Sequence, residues 1–463
     1  MRLFLSRSFK ISRGGVFAES HKFLILLLAC GWMTFRPSIP PARGQEFSSQ
    51  PVAVGYRDFN YGSQVYKAPT AEKPEHKLWW NDGFWWGTLC DSATNKCRIH
   101  RLNLARQSWT NVGPDIDDRS PTLEDALWDG QHLYIVSHIF FTATSGPARL
   151  YRYSYDPISK SYSQDPGFPV NVNNEKSESL ALAKDSEGQL WLTWQAHNKV
   201  MVNRTMGDDL TWGTPFQLPV QGAEVKFDDI SAIIAFGGNK VGIMWSNQDD
   251  EKMYFAAHLD SDADQIWQAR ESALTDASLP IADDHINLKS IPDNGGTVFA
   301  ATKTSAENFD EPNIYLLKRD ANGTWSKYVV ARKAQNHTRP LLVINDQNRK
   351  IYIFMTALDV NPRPVYMKSS DLDDLKFREG FGSVFIQSAS DNLINNPTTT
   401  MQDVNCVTGI LILASDEGTH HYFHNYMSLG GGCEPAAPSA PNSFSHCGQQ
   451  LSDQSCMDHH ILQ

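Results

Sequence analysis

An aromatic residue recurs every 50 to 58 residues through most of this chain, and this period constrains the fold more than any other feature. Each aromatic closes a unit of short apolar strands separated by Gly, Asn or Asp turns. The closing positions are Trp109, Tyr162, Trp212, Trp267, Trp325 and Phe377. A period of this length, built from strands, is typical of propeller blades. One blade cannot bury both of its faces, so we expect the units to stack around a central axis.

The repeat predicts an all-β propeller over residues 51–430, with seven blades preferred and six as the alternative. The last unit lacks a closing aromatic turn and a fourth strand. Residues 52–56 alternate like a strand, so we predict that this N-terminal strand completes blade seven and closes the ring. Closure removes the sheet edges that would otherwise promote aggregation.

Residues 1–50 have the features of a targeting segment followed by a Pro-rich linker. Basic residues precede an apolar run over 23–35, which is short for a membrane span and suits a signal peptide cleaved near residue 44. Two alternatives stay open: a lipidated Cys30 and a retained anchor. All three place the propeller outside the cytoplasm, secreted or at the cell surface. Residues 431–463 form a Cys/Pro/Ser-rich tail.

The cysteines agree with export. Cys90 and Cys97 bracket a polar hairpin tip, and we predict that they form a disulfide. For the rest we favour the pairs Cys406–Cys433 and Cys447–Cys456. No thiol spacing fits zinc, and the strand bearing His420, His421 and His424 fits a surface strand better than a metal site. The sequence therefore predicts no metal and no cofactor.

The charge balance limits the partners. A formal net charge of -11 and a pI near 5.7 argue against nucleic acid, which binds basic surfaces. A membrane enters the prediction only through the N-terminal anchor or lipid. We expect a monomer.

The turns before several closing aromatics resemble the Asp-box of sialidase-like propellers, Ser/Thr-x-Asp-x-Gly-x-Thr-Trp. Thr205 to Trp212 keeps the first Thr and the final Thr-Trp, and Asp320 to Trp325 keeps the Asp and the Thr-Trp. The resemblance implies the sialidase-like, or neuraminidase-repeat, propeller superfamily with degenerate boxes. It implies fold rather than chemistry, because Asp-boxes of that superfamily lie away from the active face.

Polar residues open the first strand of successive blades, and in a propeller these positions surround the central channel. His285 and His337 occupy equivalent positions in adjacent blades, so we assign them acid–base catalysis; Arg339 would neutralise a substrate carboxylate. We expect the remaining polar residues to bind substrate: Glu124, Glu178, Asp229, Asp284, Asn287 and Asn395. The alternative is that each one caps a strand end. Trp79, Trp80, Trp85 and Trp86 offer a platform for sugar stacking or belong to the core.

These observations predict a secreted carbohydrate-active propeller that binds or processes an extracellular polysaccharide at its central face, with lyase or glycosidase chemistry. The alternative is a non-catalytic extracellular propeller for adhesion or protein binding. Whether the chain is an enzyme stays open from the sequence.

Overall fold

The computed structural model describes residues 52–63, 68–119, 122–140, 146–276, 279 and 281–430. Within these residues the regular structure is nearly all β-strand, interrupted by two 3-10 turns at Asp293–Gly295 and Lys333–Gln335. No helix with the length and apolarity of a membrane span occurs in the described part of the chain. The predicted targeting segment and C-terminal tail lie outside the described residues.

The strands form seven antiparallel sheets in chain order, so the seven-bladed prediction is confirmed and the six-bladed alternative is wrong. Most sheets are meanders that run outwards from the innermost strand; in blade two the last two strands both pair with the third, and in blade seven an N-terminal strand is outermost. The first three blades comprise β2 Leu78–Asn81, β3 Phe84–Asp91, β4 Lys96–Asn103 and β5 Ser108–Asp115; β6 Thr122–Trp128, β7 His132–Ile139, β8 Ala148–Asp156, β9 Ser161–Gln164 and β10 Val170–Asn173; and β11 Leu180–Lys184, β12 Leu190–Ala196, β13 Lys199–Arg204 and β14 Phe216–Gln217.

Blades four to six follow the same order. They comprise β15 Ser231–Phe236, β16 Lys240–Asn247, β17 Lys252–Leu259 and β18 Glu271–Leu274; β19 Ile286–Ile291, β20 Thr297–Lys303, β21 Pro312–Arg319 and β22 Trp325–Arg332; and β23 His337–Asn345, β24 Lys350–Ala357, β25 Val365–Asp371 and β26 Ser383–Ile386. We call the side of the ring where the innermost strands begin the opening face.

Blade seven joins the two ends of the propeller. Its strands β27 Ile394–Thr398, β28 Ile410–Asp416 and β29 His421–Met427 are completed by β1 Tyr56–Asn60. Ring closure by an N-terminal strand is therefore confirmed. The strand lies later than the predicted 52–56: Val52 is exposed, and Val54 makes only an isolated bridge to Gln387.

The core lies between neighbouring blades rather than in one central mass. Each apolar cluster combines side chains of adjacent sheets, as where blades four and five pack Phe255 against Leu288 and Leu317. Alternation along each strand supplies both interfaces, because successive side chains point to opposite faces.

Two local predictions concern turns and cysteines. Cys90 and Cys97 are paired directly across β3 and β4 and form the predicted disulfide. Cys433, Cys447 and Cys456 lie outside the described residues, so their pairings stay predictions. Among the Asp-box-like turns, the Asp208 carboxylate accepts hydrogen bonds from the amides of residues 210 and 211, as a turn-capping aspartate should.

Candidate functional site

Residues 68–77, ahead of blade one, fill the centre of the ring, and we call them the plug. All of them are buried. Thr70 Oγ1 lies 2.6 Å from the hydroxyl of Ser415 in blade seven, and Glu75 Oε1 lies 2.7 Å from His138 Nε2 in blade two. Lys73 of the same segment reaches Glu178 of blade three and Asp284 ahead of blade five, and a segment that contacts blades all round the ring must lie near its axis.

The charges of the plug are paired inside the channel. Lys77 Nζ lies 2.7 Å from Glu75 Oε2, and the other oxygen of Glu75 also accepts the amide of Leu180 at 3.1 Å. A buried carboxylate is costly unless it is paired and hydrogen-bonded. These contacts attach the plug to blade three and offset the burial of its charges.

Lys73 of the plug carries the charge nearest the opening face. Its Nζ lies 2.5 Å from Glu178 Oε1 in blade three, 2.6 Å from Asp284 Oδ2 ahead of blade five, and 3.1 Å from Glu72 Oε2. The Lys73 side chain is 1% exposed. Burial alone would lower the pKa of Lys73, but the carboxylates, Glu72 foremost, outweigh it and raise that pKa.

Three carboxylates from blades three, four and five converge around this ammonium. Oxygens of Glu178, Asp228 and Asp284 all lie within 4.8 Å of one another. Glu178 is buried, Asp284 is partly buried and Asp228 is exposed, so the group opens to solvent on the side of blade four. We define the mouth cluster as Lys73, Glu178, Asp228, Asp284, His285 and Arg339.

The surroundings shift the pKa values of these carboxyls in opposite directions. Burial raises the pKa of Glu178. Burial, followed by the charge of Asp284, raises the pKa of Asp228. Burial would also raise the pKa of Asp284, but the charges of His285 and Lys73 hold it well below its usual range. Asp284 is therefore ionised where its two neighbours retain protons more readily.

His285 is fixed at both ring nitrogens. Its Nδ1 lies 2.5 Å from Asp283 Oδ1 and 2.7 Å from Asp284 Oδ1, while Nε2 lies 3.1 Å from Thr338 Oγ1. Lys303 also binds the Asp283 carboxylate. This arrangement orients the imidazole and links blade five to blade six.

His337 does not converge with His285, although the two open equivalent strands. The ring of His337 packs between Tyr366 and Phe381, and its Nε2 donates to the Phe381 carbonyl at 3.1 Å. Burial, with the charge of Lys368 second, lowers the pKa of His337 to about 4. The next residue, Thr338, faces His285 instead, because neighbouring strand residues point to opposite faces.

Arg339 does reach the mouth cluster. It lies where the β23–β24 register shifts, at a φ of 55°, and this irregularity directs its guanidinium towards the plug. Its NH1 lies 3.5 Å from Glu72 Oε2, with the side chain 20% exposed. Arg339 bonds to Glu72 and His285 to Asp284, and Lys73 lies between these two carboxylates, so the structure places Arg339 and His285 on one charge network and leaves His337 elsewhere.

The expected substrate-binding residues separate into two groups. Glu178 and Asp284 are in the mouth cluster. Asp229 instead accepts the main-chain amide of Lys226 at 2.7 Å and the Ser246 hydroxyl at 2.7 Å, which makes it a cap of its own loop. Its neighbour Asp228 occupies the mouth position.

The other three expected residues lie deeper or further round the ring. Asn287 donates to the Lys73 carbonyl at 3.3 Å and accepts the Leu342 amide at 3.0 Å, so it connects the plug to two blades. Glu124 is buried in β6, and burial raises its pKa to about 8. Asn395 lies in blade seven, where its amide is 3.5 Å from Glu417 Oε1.

Aromatic side chains near the mouth differ from those expected. Trp79, Trp85 and Trp86 are fully buried and belong to the core. Phe227, directly before Asp228, is 56% exposed, and Phe309, in the loop between β20 and β21, is 75% exposed. Both lie on the opening face, where exposed rings can stack on the apolar faces of sugars.

Lys73, Glu72 and Asp228 were not among the expected site residues. A sequence signal for the plug exists, since residues 72–77 contain two Glu and two Lys directly before the first inner strand. The oxygens of Glu178, Asp228 and Asp284 are also ligands that a hard cation prefers. The Lys73 ammonium already lies between two of them, so a divalent ion would have to displace it.

No known protein family and no curated protein matches the chain. Several solved structures align with the chain at low identity. The polysaccharide lyase Uly1 is 10% identical, with a TM-score of 0.47 over 85% of this chain and 96% of that one. An α-L-arabinanase of Penicillium chrysogenum complexed with arabinobiose is 10% identical, with a TM-score of 0.44 over 70% and 100%. A mutant of the Aleuria aurantia lectin in complex with Fucalpha1-6GlcNAc is 13% identical, with a TM-score of 0.40 over 66% and 94%. Likenesses of this size do not decide the function of this chain.

Proposed function

We propose that this propeller hydrolyses glycosidic bonds of an extracellular glycan at the mouth cluster. The observation that carries the proposal is the group formed by Glu178, Asp228 and Asp284, whose oxygens lie within 4.8 Å of one another and whose pKa values are shifted in opposite directions. Glycoside hydrolysis needs one carboxylic acid that donates a proton and one ionised carboxylate beside it.

Exposure assigns the two roles. Asp228 is the exposed member with a raised pKa, so it donates the proton to the leaving oxygen. Asp284 is held ionised by His285 and Lys73 and acts on the anomeric carbon. Carboxyl groups about 5 Å apart accompany retention of the anomeric configuration, whereas inverting enzymes need roughly 6.5–9.5 Å. Oxygens of Asp228 and Asp284 lie within 4.8 Å of each other, which favours the shorter separation, so we propose retention.

The charge of the site favours a neutral or amino-bearing glycan over a polyuronate. Carboxylates outnumber the fixed cations there: Glu72, Glu178, Asp228, Asp283 and Asp284 surround Lys73, Lys303 and Arg339. A lyase would require a base near Arg339 and a favourable site for a uronate carboxylate. Of the two histidines considered for that base, His337 lies on the other face of its strand. His285 is held at both ring nitrogens by Asp283, Asp284 and Thr338.

The test incubates the secreted protein with a panel of neutral, aminated and uronic polysaccharides. The appearance of new reducing ends measures hydrolysis, and NMR of the released sugars identifies their anomeric configuration. Asp228→Asn and Asp284→Asn should each lower kcat by at least about 10²-fold. The matched control is Asp118→Asn, because Asp118 is an exposed carboxylate of the loop that precedes blade two. Full activity in Asp228→Asn or inversion of the anomer would overturn the assignment.

A second candidate is non-catalytic glycan binding at the same face. The observation that favours it is that Lys73 already bonds to both Glu178 and Asp284, so the plug satisfies much of the cluster from within the chain. Binding without any released reducing ends, weakened by Asp228→Asn or Phe227→Ala, would select this candidate. Binding of a protein and no glycan would favour the adhesion alternative.

We also propose that the protein is exported and that it belongs to the sialidase-like superfamily. The Cys90–Cys97 disulfide supports an oxidising compartment, since such bonds persist mainly outside the cytosol. The Asp-capped turn at residue 208 supports a place in the sialidase-like superfamily. Mass spectrometry of the mature N-terminus from the native host tests cleavage against lipidation and anchoring.

A further inference from the structure

A surface cavity of about 530 Å³ lies on blade six, away from the mouth cluster. Lys368 of β25 forms part of its wall, together with Met367, Arg378 and Gly382. The wall is built partly from the chain that connects β25 to β26. Neither the plug nor the opening face contributes to it.

Lys368 is a buried amine without a paired carboxylate. Its residue is only 7% exposed, and its Nζ donates to two main-chain carbonyls, that of Val330 at 2.7 Å and that of Arg378 at 2.9 Å. No carboxylate of the described residues lies within ion-pair distance of it. The neighbouring lysines of the cavity differ, because Lys350 pairs with Asp371 and Lys376 pairs with Asp374.

Gly382 packs closely against the base of the Lys368 side chain. Gly382 has a φ of 101°, and a Cβ there would lie 2.6 Å from the Met367 carbonyl oxygen and 2.9 Å from Lys368 Cγ. Another residue at this position would be strained and would crowd the lysine. Glycine therefore allows the chain to pass close to the base of the Lys368 side chain.

We propose that Lys368 is a nucleophilic amine site that condenses with small aldehydes carrying a carboxylate. The neutral Nζ attacks the carbonyl carbon, the carbinolamine loses water, and an imine forms between Lys368 and the former aldehyde carbon. Arg378 supplies the recognition of the carboxylate: its side chain is exposed at the cavity, and no described residue forms an ion pair with it.

The electrostatics support this chemistry. Burial lowers the pKa of Lys368 to about 8, and Glu379 opposes that shift only in part. About a tenth of the amine is then neutral at pH 7, against about one part in 2,500 for an exposed lysine of pKa near 10.4. A lower pKa also weakens a nucleophile, with a slope of about 0.4–0.5 measured for thiols. If amines follow the same slope, the net advantage is on the order of tenfold.

The experiment treats the folded full-length protein with glyoxylate and cyanoborohydride, which reduces the imine to a stable secondary amine, and maps the modified lysines by peptide mass spectrometry. Lys368 should react about tenfold faster than Lys376, which is 77% exposed and serves as the internal control. Arg378→Ala should slow glyoxylate labelling of Lys368 about tenfold and leave its labelling by acetaldehyde unchanged. The main-chain carbonyl that holds Lys368 is retained in this variant.

Two results would overturn the proposal. Lys368 labelled no faster than Lys376 would mean that the amine is not activated. Lys368 labelled only after denaturation would mean that the cavity does not admit the aldehyde. Equal rates with glyoxylate in the native protein and in Arg378→Ala would reject the role of Arg378.

Discussion

Replacement of Lys73 by methionine should destabilise the propeller strongly at neutral pH. The Nζ lies 2.5 Å from Glu178 Oε1 and 2.6 Å from Asp284 Oδ2, with the side chain 1% exposed. At an effective dielectric constant of about 20, each contact is worth about 6 kcal/mol before desolvation. Desolvation offsets much of this gain, but loss of one partner leaves buried carboxylates unpaired, and such changes cost about 3–5 kcal/mol.

The loss should shrink as the pH falls. Without Lys73, the folded-state pKa of Glu178 rises further above the 4.5 of an unperturbed glutamate. A carboxyl with a raised folded-state pKa costs stability above that pKa, and the cost disappears as the pH falls towards its unfolded value. Lys73→Met should therefore be closer to the wild type at pH 5 than at pH 7.

Urea denaturation at both pH values measures the effect, with Lys376→Met as the exposed control, expected to change the free energy of unfolding by less than about 1 kcal/mol. Glu178→Gln in the Lys73→Met background should recover part of the loss, because it removes one of the unpaired charges. A Lys73→Met protein within about 1 kcal/mol of the wild type at pH 7, with the same pH dependence, would refute the account of the plug.

Three further predictions concern stability. The wild type should lose a few kcal/mol of stability as the pH rises from 4.5 to 8, because Glu124 is buried with a folded-state pKa of about 8, and Glu124→Gln should remove this loss. Urea midpoints at pH 5 and pH 8 measure the difference, and an equal pH dependence in the two proteins would contradict the prediction. His337→Ala should lower the free energy of unfolding by about 2–4 kcal/mol because it removes a fully buried ring, and any glycan hydrolysis per folded molecule should persist. A stable but inactive variant would show that His337 belongs to the catalytic site. Replacement of Cys90 and Cys97 by serine should cost about 2–3 kcal/mol through the short loop that the disulfide closes, and an unchanged melting temperature would argue against that contribution.

The sequence predicts the blades because their signals are local. Each unit contains alternating apolar residues, turn residues such as Asn345 and a closing aromatic. Each unit must also bury both of its faces against neighbours. The position of the closing strand is less accurate, since an alternating stretch fixes a strand but not its register. Pairing with β29 selects Tyr56–Asn60, because that register places Arg57 where it binds Asp391.

The mouth cluster could be predicted only in part because its contacts are long-range. Lys73 meets Glu178 and Asp284, which are 105 and 211 residues away along the chain. No local pattern distinguishes a charged segment that enters the channel from one that lies in solvent. Single-residue placement matters equally. Thr338 faces His285 in place of His337 because one step along a strand changes the face. Asp228 occupies the mouth in place of Asp229 because Asp229 caps its own loop.

The plug explains how so many carboxylates can meet on one axis. Converging acidic residues repel one another and normally require a cation between them. Here the cation is Lys73, which is covalently part of the chain and lies within the same N-terminal stretch, residues 52–77, that supplies the ring-closing strand β1. The residues that close the ring and the residue that neutralises the mouth therefore come from neighbouring parts of the sequence. A site assembled in this way holds Asp284 ionised by charges that belong to the chain itself.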